Sequence, residues 1–131
     1  GQKGESAWLF DSQEFLSTHR IIEEFNTWKN LLNTQFQGKS STPDEGVKND
    51  WWNTNWIPFT SDGCGDHYCL DLSPTNTGTK GQIITLWYES SEREIVAPSF
   101  SLWFEEYVEQ LYSGELIYSE EYNSIVYKDE L

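Results

Sequence analysis

The chain has 131 residues, 22 acidic against 8 basic side chains, a formal net charge of −14, and seven each of Trp, Tyr and Phe. Nucleic acids and anionic membrane surfaces are recognised by basic patches, so this charge argues against both as partners. No apolar run approaches the ~18 residues of a membrane-spanning helix and no signal peptide is visible, so we expect a cytoplasmic protein. The aromatic content argues against disorder, and the length predicts one domain over residues 1–131.

The first part of the chain predicts two short strands followed by a helix. Short apolar runs at residues 8–10 and 15–16 are typical of strands or strand edges. The helix has apolar residues three and four positions apart, at Ile21, Phe25, Trp28 and Leu32. Ser17 or Thr18 can cap its start, and we expect it to end near Asn33.

The middle of the chain predicts three strands separated by glycine-bearing turns. Residues 35–50 are rich in polar and turn-forming residues, which predicts an exposed connection before the first of these strands. Pro58 lacks an amide hydrogen, so the strand containing it should lie at a sheet edge or be bulged. Residues 67–72 alternate between a core face and a partly polar face, which consists of His67, Cys69 and Asp71. Residues 82–88 are apolar on both faces and predict a central strand.

A second helix follows the strands. Residues 93–97 predict a short further strand, and Pro98 ends strand pairing. Ser99 can cap a helix with apolar residues at helical spacing, and Gly114 can end it. Strands grouped between helices predict an α+β fold, in which a mostly antiparallel sheet is flanked by helices.

Residue types that often perform chemistry are present, but their spacing does not predict a reaction. Asp62, Asp66 and Asp71 do not form the longer ligand sequence of a calcium loop, and the first two suit a turn. His19 and His67 have no Ser, Cys or Asp partner at a recognisable spacing, so a hydrolase is disfavoured. We therefore expect no catalytic residue, no metal site and no cofactor.

Cys64 and Cys69 flank a turn, and a disulfide between them is conceivable if they face each other. We expect both to be reduced, with Cys69 packed as a small apolar residue, because no secretory signal is visible. A zinc site is disfavoured because His67 is the only nearby third ligand. Trp51, Trp52 and Trp56 either pack in the core or contact a partner, and Trp56 is the one we most expect to be buried.

Three sequence blocks, in this order and at this separation, resemble the SUKH superfamily, in its SMI–KNR cell-wall-assembly-regulator branch. They are WIPFTSDGCGDHYCLDLSP, the Gly81-led GQIITLWY, and VAPSFSLWFEEYVEQL. The helix HRIIEEFNTWKNLL also fits this family. The resemblance implies a SUKH-like α+β domain that binds proteins. Bacterial members are commonly immunity proteins that block secreted toxins, and fungal members regulate cell-wall synthesis through protein contacts.

The resemblance and the acidic charge together predict a non-enzymatic immunity-type protein that neutralises a cognate toxin with a basic surface, such as a nuclease. An acidic surface would speed the encounter by electrostatic steering. A regulatory scaffold or small-ligand sensor of the cell-wall-regulator type is the alternative. The predicted partner-binding residues are Glu89, Glu92, Glu94, Glu105, Glu106, Glu109, Trp51 and Trp52.

The two ends of the chain raise further expectations. Family members usually begin with two helices and a Leu-Pro-containing segment, so we expect this domain to be incomplete at its N-terminus. Apolar surface near residues 8–10 or in the C-terminal tail would then be exposed and would favour self-association as a homo-oligomer or binding of the missing segment. The last four residues, 128–131, read Lys-Asp-Glu-Leu and match an endoplasmic-reticulum retention signal. Coincidence is the preferred explanation without a signal peptide, and a functional signal is the alternative.

Overall fold

The computed structural model describes residues 13–114, 116–121 and 124–128, and its fold is α+β as predicted. Two helices are described, α1 (Thr18–Leu32) and α2 (Phe100–Ser113). The strands, in chain order, are β1 (Glu14–Phe15), β2 (Thr42–Pro43), β3 (Trp56–Pro58), β4 (Thr60–Ser61), β5 (His67–Asp71), β6 (Gln82–Leu86), β7 (Glu92–Arg93), β8 (Ile95–Ala97), β9 (Leu116–Ser119) and β10 (Ser124–Tyr127).

A four-stranded antiparallel sheet in the order β3-β5-β6-β8 forms the centre of the fold. Pro58 lies in β3 at the edge of this sheet, as its missing amide hydrogen predicts. All five residues of β6 are buried, which confirms the prediction of a central strand. Three smaller pairs surround the sheet: β1 with β4, β9 with β10, and the parallel pair of β2 with β7.

Each face of the sheet packs against one helix and forms its own core. On the α1 side, Trp28 of the helix joins Cys69, Ile84 and Leu86 of the strands, together with buried residues of the segment 36–56. On the α2 side, the core contains Tyr68, Ile83, Ala97, Trp103 and Tyr107. The aromatic residues stack edge to face in several pairs, an arrangement that favours their quadrupoles.

The helix boundaries follow from their caps. The Ser17 side chain, rather than that of Thr18, accepts a hydrogen bond from the Arg20 amide at 3.2 Å. Ser99 accepts one from the Leu102 amide at 3.1 Å. Gly114 ends α2 with φ of +81°, a left-handed conformation that glycine adopts without strain.

Two segments are more buried than their sequence patterns indicate. His67, Cys69 and Asp71 on the partly polar face of β5 are each 0% exposed, because α1 and the segment 36–56 cover that face. Most of the stretch 35–50 is exposed or half-buried, as predicted for a connection, but Phe36 and Val47 pack in the core. Strand alternation shows which residues share a face, but not which faces a distant segment covers.

Two further expectations concern the first residues and the membrane. The predicted strand at residues 8–10 lies outside the described residues, whereas β1 confirms extended structure at Phe15. In the described part of the chain, no helix is both long and apolar enough to traverse a lipid bilayer.

Candidate functional site

Three of the predicted contact residues, Glu89, Glu92 and Glu94, are exposed around β7. A hydrogen bond to the Glu92 side chain raises the pKa of Glu94, and the negative charges of Glu92 and Asp44 contribute in the same direction. Asp44 reaches this position because β2 runs parallel to β7 and pairs Thr42 with Glu92. We call the exposed carboxylates of this part of the chain the acidic edge: Glu92 and Glu94 with Asp44 near them, and Glu89 three residues before β7.

A buried arginine holds the backbone of the acidic edge in place. Arg93 is 0% exposed and donates four hydrogen bonds to three backbone carbonyls: two to Trp51 at 2.9 and 3.0 Å, and one each to Ser90 and Glu92 at 2.7 Å. Its guanidinium also lies 4.6 Å from the centre of the Trp51 ring. Burial lowers the pKa of Arg93 to about 10, which leaves it charged at neutral pH. The arginine therefore ties the acidic edge to the segment before β3.

The other three predicted glutamates, Glu105, Glu106 and Glu109, are exposed on α2. The same helix exposes large apolar side chains, at Phe100, Leu102, Phe104, Leu111 and Tyr112. Helix α2 packs against β8, which follows the acidic edge in the chain. The six predicted glutamates are thus all accessible, but they belong to two different elements.

The prediction that Trp51 and Trp52 contact a partner is wrong. Their side chains are only 4% and 1% exposed, and both belong to the core on the α1 side. Trp52 packs edge to face with Phe25 of α1 at a centroid distance of 5.1 Å. Lys39 and Arg93 lie against the Trp51 ring, the former at 3.9 Å. Core packing, the alternative considered for these residues, is what the structure shows, and Trp56 is buried with them.

The histidines do not form a catalytic group in the described part of the chain. His19 is exposed on α1 and lies 3.3 Å from Glu23 on the next turn. His67 is fully buried, with Nδ1 2.7 Å from the Thr60 carbonyl. A carbonyl can only accept, so Nδ1 carries the hydrogen and Nε2 of the neutral ring is an acceptor. That nitrogen lies 3.8 Å from Glu24 Oε2.

Burial is the main influence on the protonation of His67. It lowers the pKa of the imidazole, while the Thr60 hydrogen bond and the nearby carboxylates of Glu24, Asp62 and Asp66 oppose this effect. The neutral ring is therefore favoured in the folded protein. An edge-on contact with Trp28, at 5.9 Å between centroids, places His67 within the core rather than in a cleft.

The aspartates that could have suggested a metal site instead accept hydrogen bonds within the fold. Asp62 Oδ1 accepts the amides of Cys64 and Asp66 at 2.7 and 3.1 Å, which agrees with the predicted turn. Asp71 is fully buried and accepts a hydrogen bond from the Gln82 side chain at 2.9 Å. Over the described ranges, no three His, Cys, Asp or Glu residues are grouped so that they could hold a metal ion.

Both cysteines are free, with Cys64 exposed and Cys69 buried, as expected for reduced thiols. Desolvation raises the pKa of the Cys69 thiol, so it stays protonated and packs as an apolar residue. Cys64 lines an open groove of about 380 Å³ together with Asp66, Trp87, Tyr88, Glu89 and Ser90. Sequence reasoning missed this groove, because it forms only when the turn at 61–66 meets the segment after β6.

Comparison with known proteins matches the family described as "SMI1 / KNR4 family (SUKH-1)" over residues 1–106. Similar curated relatives include a KNR4/SMI1 homolog of Kluyveromyces lactis, 28% identical over 63% of this chain and 16% of its own length. Another is KNR4/SMI1 homolog 2 of Debaryomyces hansenii, 28% identical over 66% of this chain and 15% of its own length.

A third relative is the "Glucan synthesis regulatory protein" of Neurospora crassa, 29% identical over 76% of this chain and 18% of its own length. The chain thus spans less than a fifth of each of these curated relatives. The family match covers most of the chain and agrees with the resemblance of its three sequence blocks. This chain therefore belongs to the SMI1/KNR4 (SUKH-1) family.

Proposed function

We propose that this chain is a non-enzymatic protein-binding module that recognises a basic surface of its partner through the acidic edge. The observation that carries the proposal is the exposure of Glu92 and Glu94 beside Asp44, which the parallel pairing of β2 with β7 brings to the same edge. No salt bridge among the described residues involves Asp44, Glu89, Glu92 or Glu94. Like charges held together repel, and a cationic partner relieves that repulsion on binding.

Two biological settings suit such a module. The first is regulation by protein contact, supported by the relative named as a glucan synthesis regulatory protein. The second is toxin neutralisation, supported by the family resemblance and by the net charge of −14, which complements a basic nuclease groove. Both use the same physical act, which is binding of a cationic protein surface, and we expect it in the cytoplasm.

Binding to the product of an adjacent gene, measured at low and at raised salt, tests the shared mechanism. The wild type is compared with Glu92→Gln and Glu94→Gln together, and with Glu23→Gln on α1 as the control. We expect raised salt and the double substitution to weaken binding, and the control to bind as the wild type does. Binding that is indifferent to ionic strength and to the double substitution would refute recognition through the acidic edge.

The two settings differ in a second experiment. Co-expression with a toxic neighbouring gene product should restore growth only if this chain is an immunity protein. Deletion of the gene in its own host should change glucan content if it is a regulator. The acidic-edge substitutions should weaken whichever effect is found.

A further inference from the structure

We propose that one side of helix α2 docks a basic amphipathic helix of the partner protein. The docking residues, which we call the α2 stripe, are Phe100, Phe104, Val108 and Leu111. The inference rests on the proposed function, because it also requires a cationic protein as the partner. It adds a second contact element to the acidic edge and names the secondary structure that this element would bind.

The geometry of the helix places the α2 stripe beside the buried face of α2. Trp103 and Tyr107 are buried and form part of the core on this side of the sheet. The four stripe residues are four, four and three positions apart, so they form a row along the helix. At about 100° per residue, this row lies next to the row of the two buried residues. Phe100, Phe104 and Leu111 are 43%, 40% and 36% exposed, so the apolar arc of α2 is wider than the sheet covers.

Two rings from the neighbouring part of the fold extend the α2 stripe. Phe59 packs edge to face against Phe100 at a centroid distance of 5.5 Å, and Phe15 of β1 lies 6.3 Å from Phe104. The rings of Phe100 and Phe104 stack on each other at 5.9 Å. Phe15 and Phe59 are themselves half-buried. The four phenylalanines therefore form one continuous and partly exposed surface, and contiguous apolar surfaces mark contact sites more often than single exposed residues do.

Carboxylates border the α2 stripe on its solvent side. Glu105 and Glu109 follow Phe104 and Val108 directly in the chain, so each points about 100° away from the row, and both are exposed. No salt bridge within the described residues engages either glutamate, and α2 contains no basic residue. An apolar row bordered by uncompensated negative charge is complementary to a helix that has one apolar face and lysine or arginine beside it.

Charge also selects among the possible occupants of the α2 stripe. A second copy of this chain would bring the same glutamates and a net charge of −14 to the interface, and like charges across an interface oppose association. An anionic membrane surface is repelled for the same reason. A basic protein segment is attracted.

The spacing of the α2 stripe suits a helical partner. The row from Phe100 to Leu111 rises about 16 Å, or three turns. Side chains four positions apart form a ridge that fits the grooves of a second helix. A basic amphipathic helix of about three turns can therefore bury its apolar face against the row while its basic side chains reach Glu105 and Glu109.

Fluorescence anisotropy of a labelled model peptide, titrated with the whole protein, tests this inference. The probe is a fourteen-residue peptide of leucine and lysine whose leucines form one face of a helix. One control peptide replaces every lysine with glutamate, and a second has the composition of the probe in a scrambled order without helical periodicity. We expect the probe alone to bind, with an affinity that falls as salt is raised. Equal binding of either control, or no binding of the probe, would overturn the proposal.

Three variants locate the binding. Phe104→Ser and Leu111→Ser should each weaken binding of the probe about three- to tenfold, because each removes apolar surface that the complex buries. The matched control is Leu102→Ser, since Leu102 is 50% exposed on the opposite side of the same helix and should not contact the probe. Phe104→Ser also removes ring contacts within the fold, so Leu111→Ser, with a native amide spectrum, is the decisive variant. An unchanged affinity in Leu111→Ser, or an equal loss in Leu102→Ser, would refute docking on the α2 stripe.

Sedimentation of the unbound protein tests the second copy as occupant. We expect a monomer, and a dimer that Leu111→Ser dissociates would assign the α2 stripe to self-association and overturn the proposal.

Partner capture separates this inference from the proposed function. If the probe does not bind while capture remains sensitive to salt and to the double substitution of Glu92 and Glu94, the α2 proposal fails and the acidic edge stands. If the probe binds at the α2 stripe and capture is indifferent to that double substitution, the α2 stripe stands and the acidic-edge mechanism fails.

Discussion

Replacement of Arg93 by methionine should destabilise the protein by about 2–4 kcal/mol. Methionine fills similar space but offers no hydrogen-bond donor. The Trp51 carbonyl accepts two of the four Arg93 bonds in the interior, and leaving a buried acceptor unsatisfied costs about 1–3 kcal/mol. The bonds to Ser90 and Glu92 are only partly buried, so water can replace the donor there and each loss costs about 0.5–1 kcal/mol.

Two smaller effects act in opposite directions. Loss of the contact between the guanidinium and the Trp51 ring adds about 0.5–1 kcal/mol to the destabilisation. Removal of the buried charge of Arg93 offsets part of the lost stability, because that charge is partly desolvated in the fold, as its pKa of about 10 indicates. The net effect remains destabilising, since the carbonyls that lose their donor stay in the fold.

Urea unfolding followed by tryptophan fluorescence measures the free energy of unfolding of this variant. The control is Lys29→Met, because Lys29 is exposed on α1 and takes part in no salt bridge among the described residues. That control should change stability by about 0–1 kcal/mol. A change for Arg93→Met within about 0.5 kcal/mol of the control would refute the assignment of Arg93 as the tie between the acidic edge and the core.

Three further predictions test other parts of the structure. Burial lowers the pKa of His67 in the folded protein, so the neutral ring contributes stability above the unfolded-state pKa of about 6.5, and this contribution is lost as pH falls through the folded-state pKa. In His67→Gln, the free energy of unfolding should depend less on pH over this acidic range. Gly78→Ala should lower the free energy of unfolding by about 1–3 kcal/mol, measured by thermal or urea unfolding, because the new Cβ would lie 2.2 Å from a neighbouring backbone oxygen. The Cβ of Gly81→Ala meets open space, so this variant should lose only the stability that corresponds to the strain of a φ of +90°. Mass spectrometry after alkylation should find Cys64 modified in the native protein and Cys69 only in denaturant; modification of both at equal rates would contradict their assigned burial.

Local sequence signals predicted the secondary structure well, because the relevant physics lies within a few residues. Ser99 and Gly114 mark the ends of α2 through their own hydrogen bonding and backbone conformation. Pro58 marks an edge strand because it cannot donate to a neighbour. The apolar residues on both faces of β6 indicated a strand covered on both sides.

Burial of polar residues was not predictable, because it depends on segments far apart in the chain. Arginine is usually a surface residue, yet Arg93 is buried and donates to the carbonyl of Trp51, about forty positions earlier in the chain. The burial of Trp51 and Trp52 has the same origin, since Phe25 of α1 and the loop at Phe36 pack over them. From the sequence alone, these tryptophans could either pack in the core or lie on a contact surface.

The candidate site was predictable in part. Glu89, Glu92 and Glu94 were chosen for charge and position, and the structure shows them exposed, while their role in partner binding stays a prediction. Asp44 was missed, because only the parallel pairing of β2 with β7 brings it to them. The sole local signal was its place in a turn-forming Pro-Asp step, which does not indicate a neighbour in space.

If the proposed function holds, salt acts in opposite directions on the acidic edge of the free protein and on its recognition of a partner. The hydrogen bond with the Glu92 side chain is the main cause of the raised pKa of Glu94, and repulsion from the charges of Glu92 and Asp44 adds to it; salt screens that repulsion in the unbound protein. The same screening weakens attraction to a basic partner. Arg93 makes this arrangement possible, because its four backbone hydrogen bonds hold the strand that presents the charges. In the proposed function, these exposed like charges would contact the cationic surface of the partner.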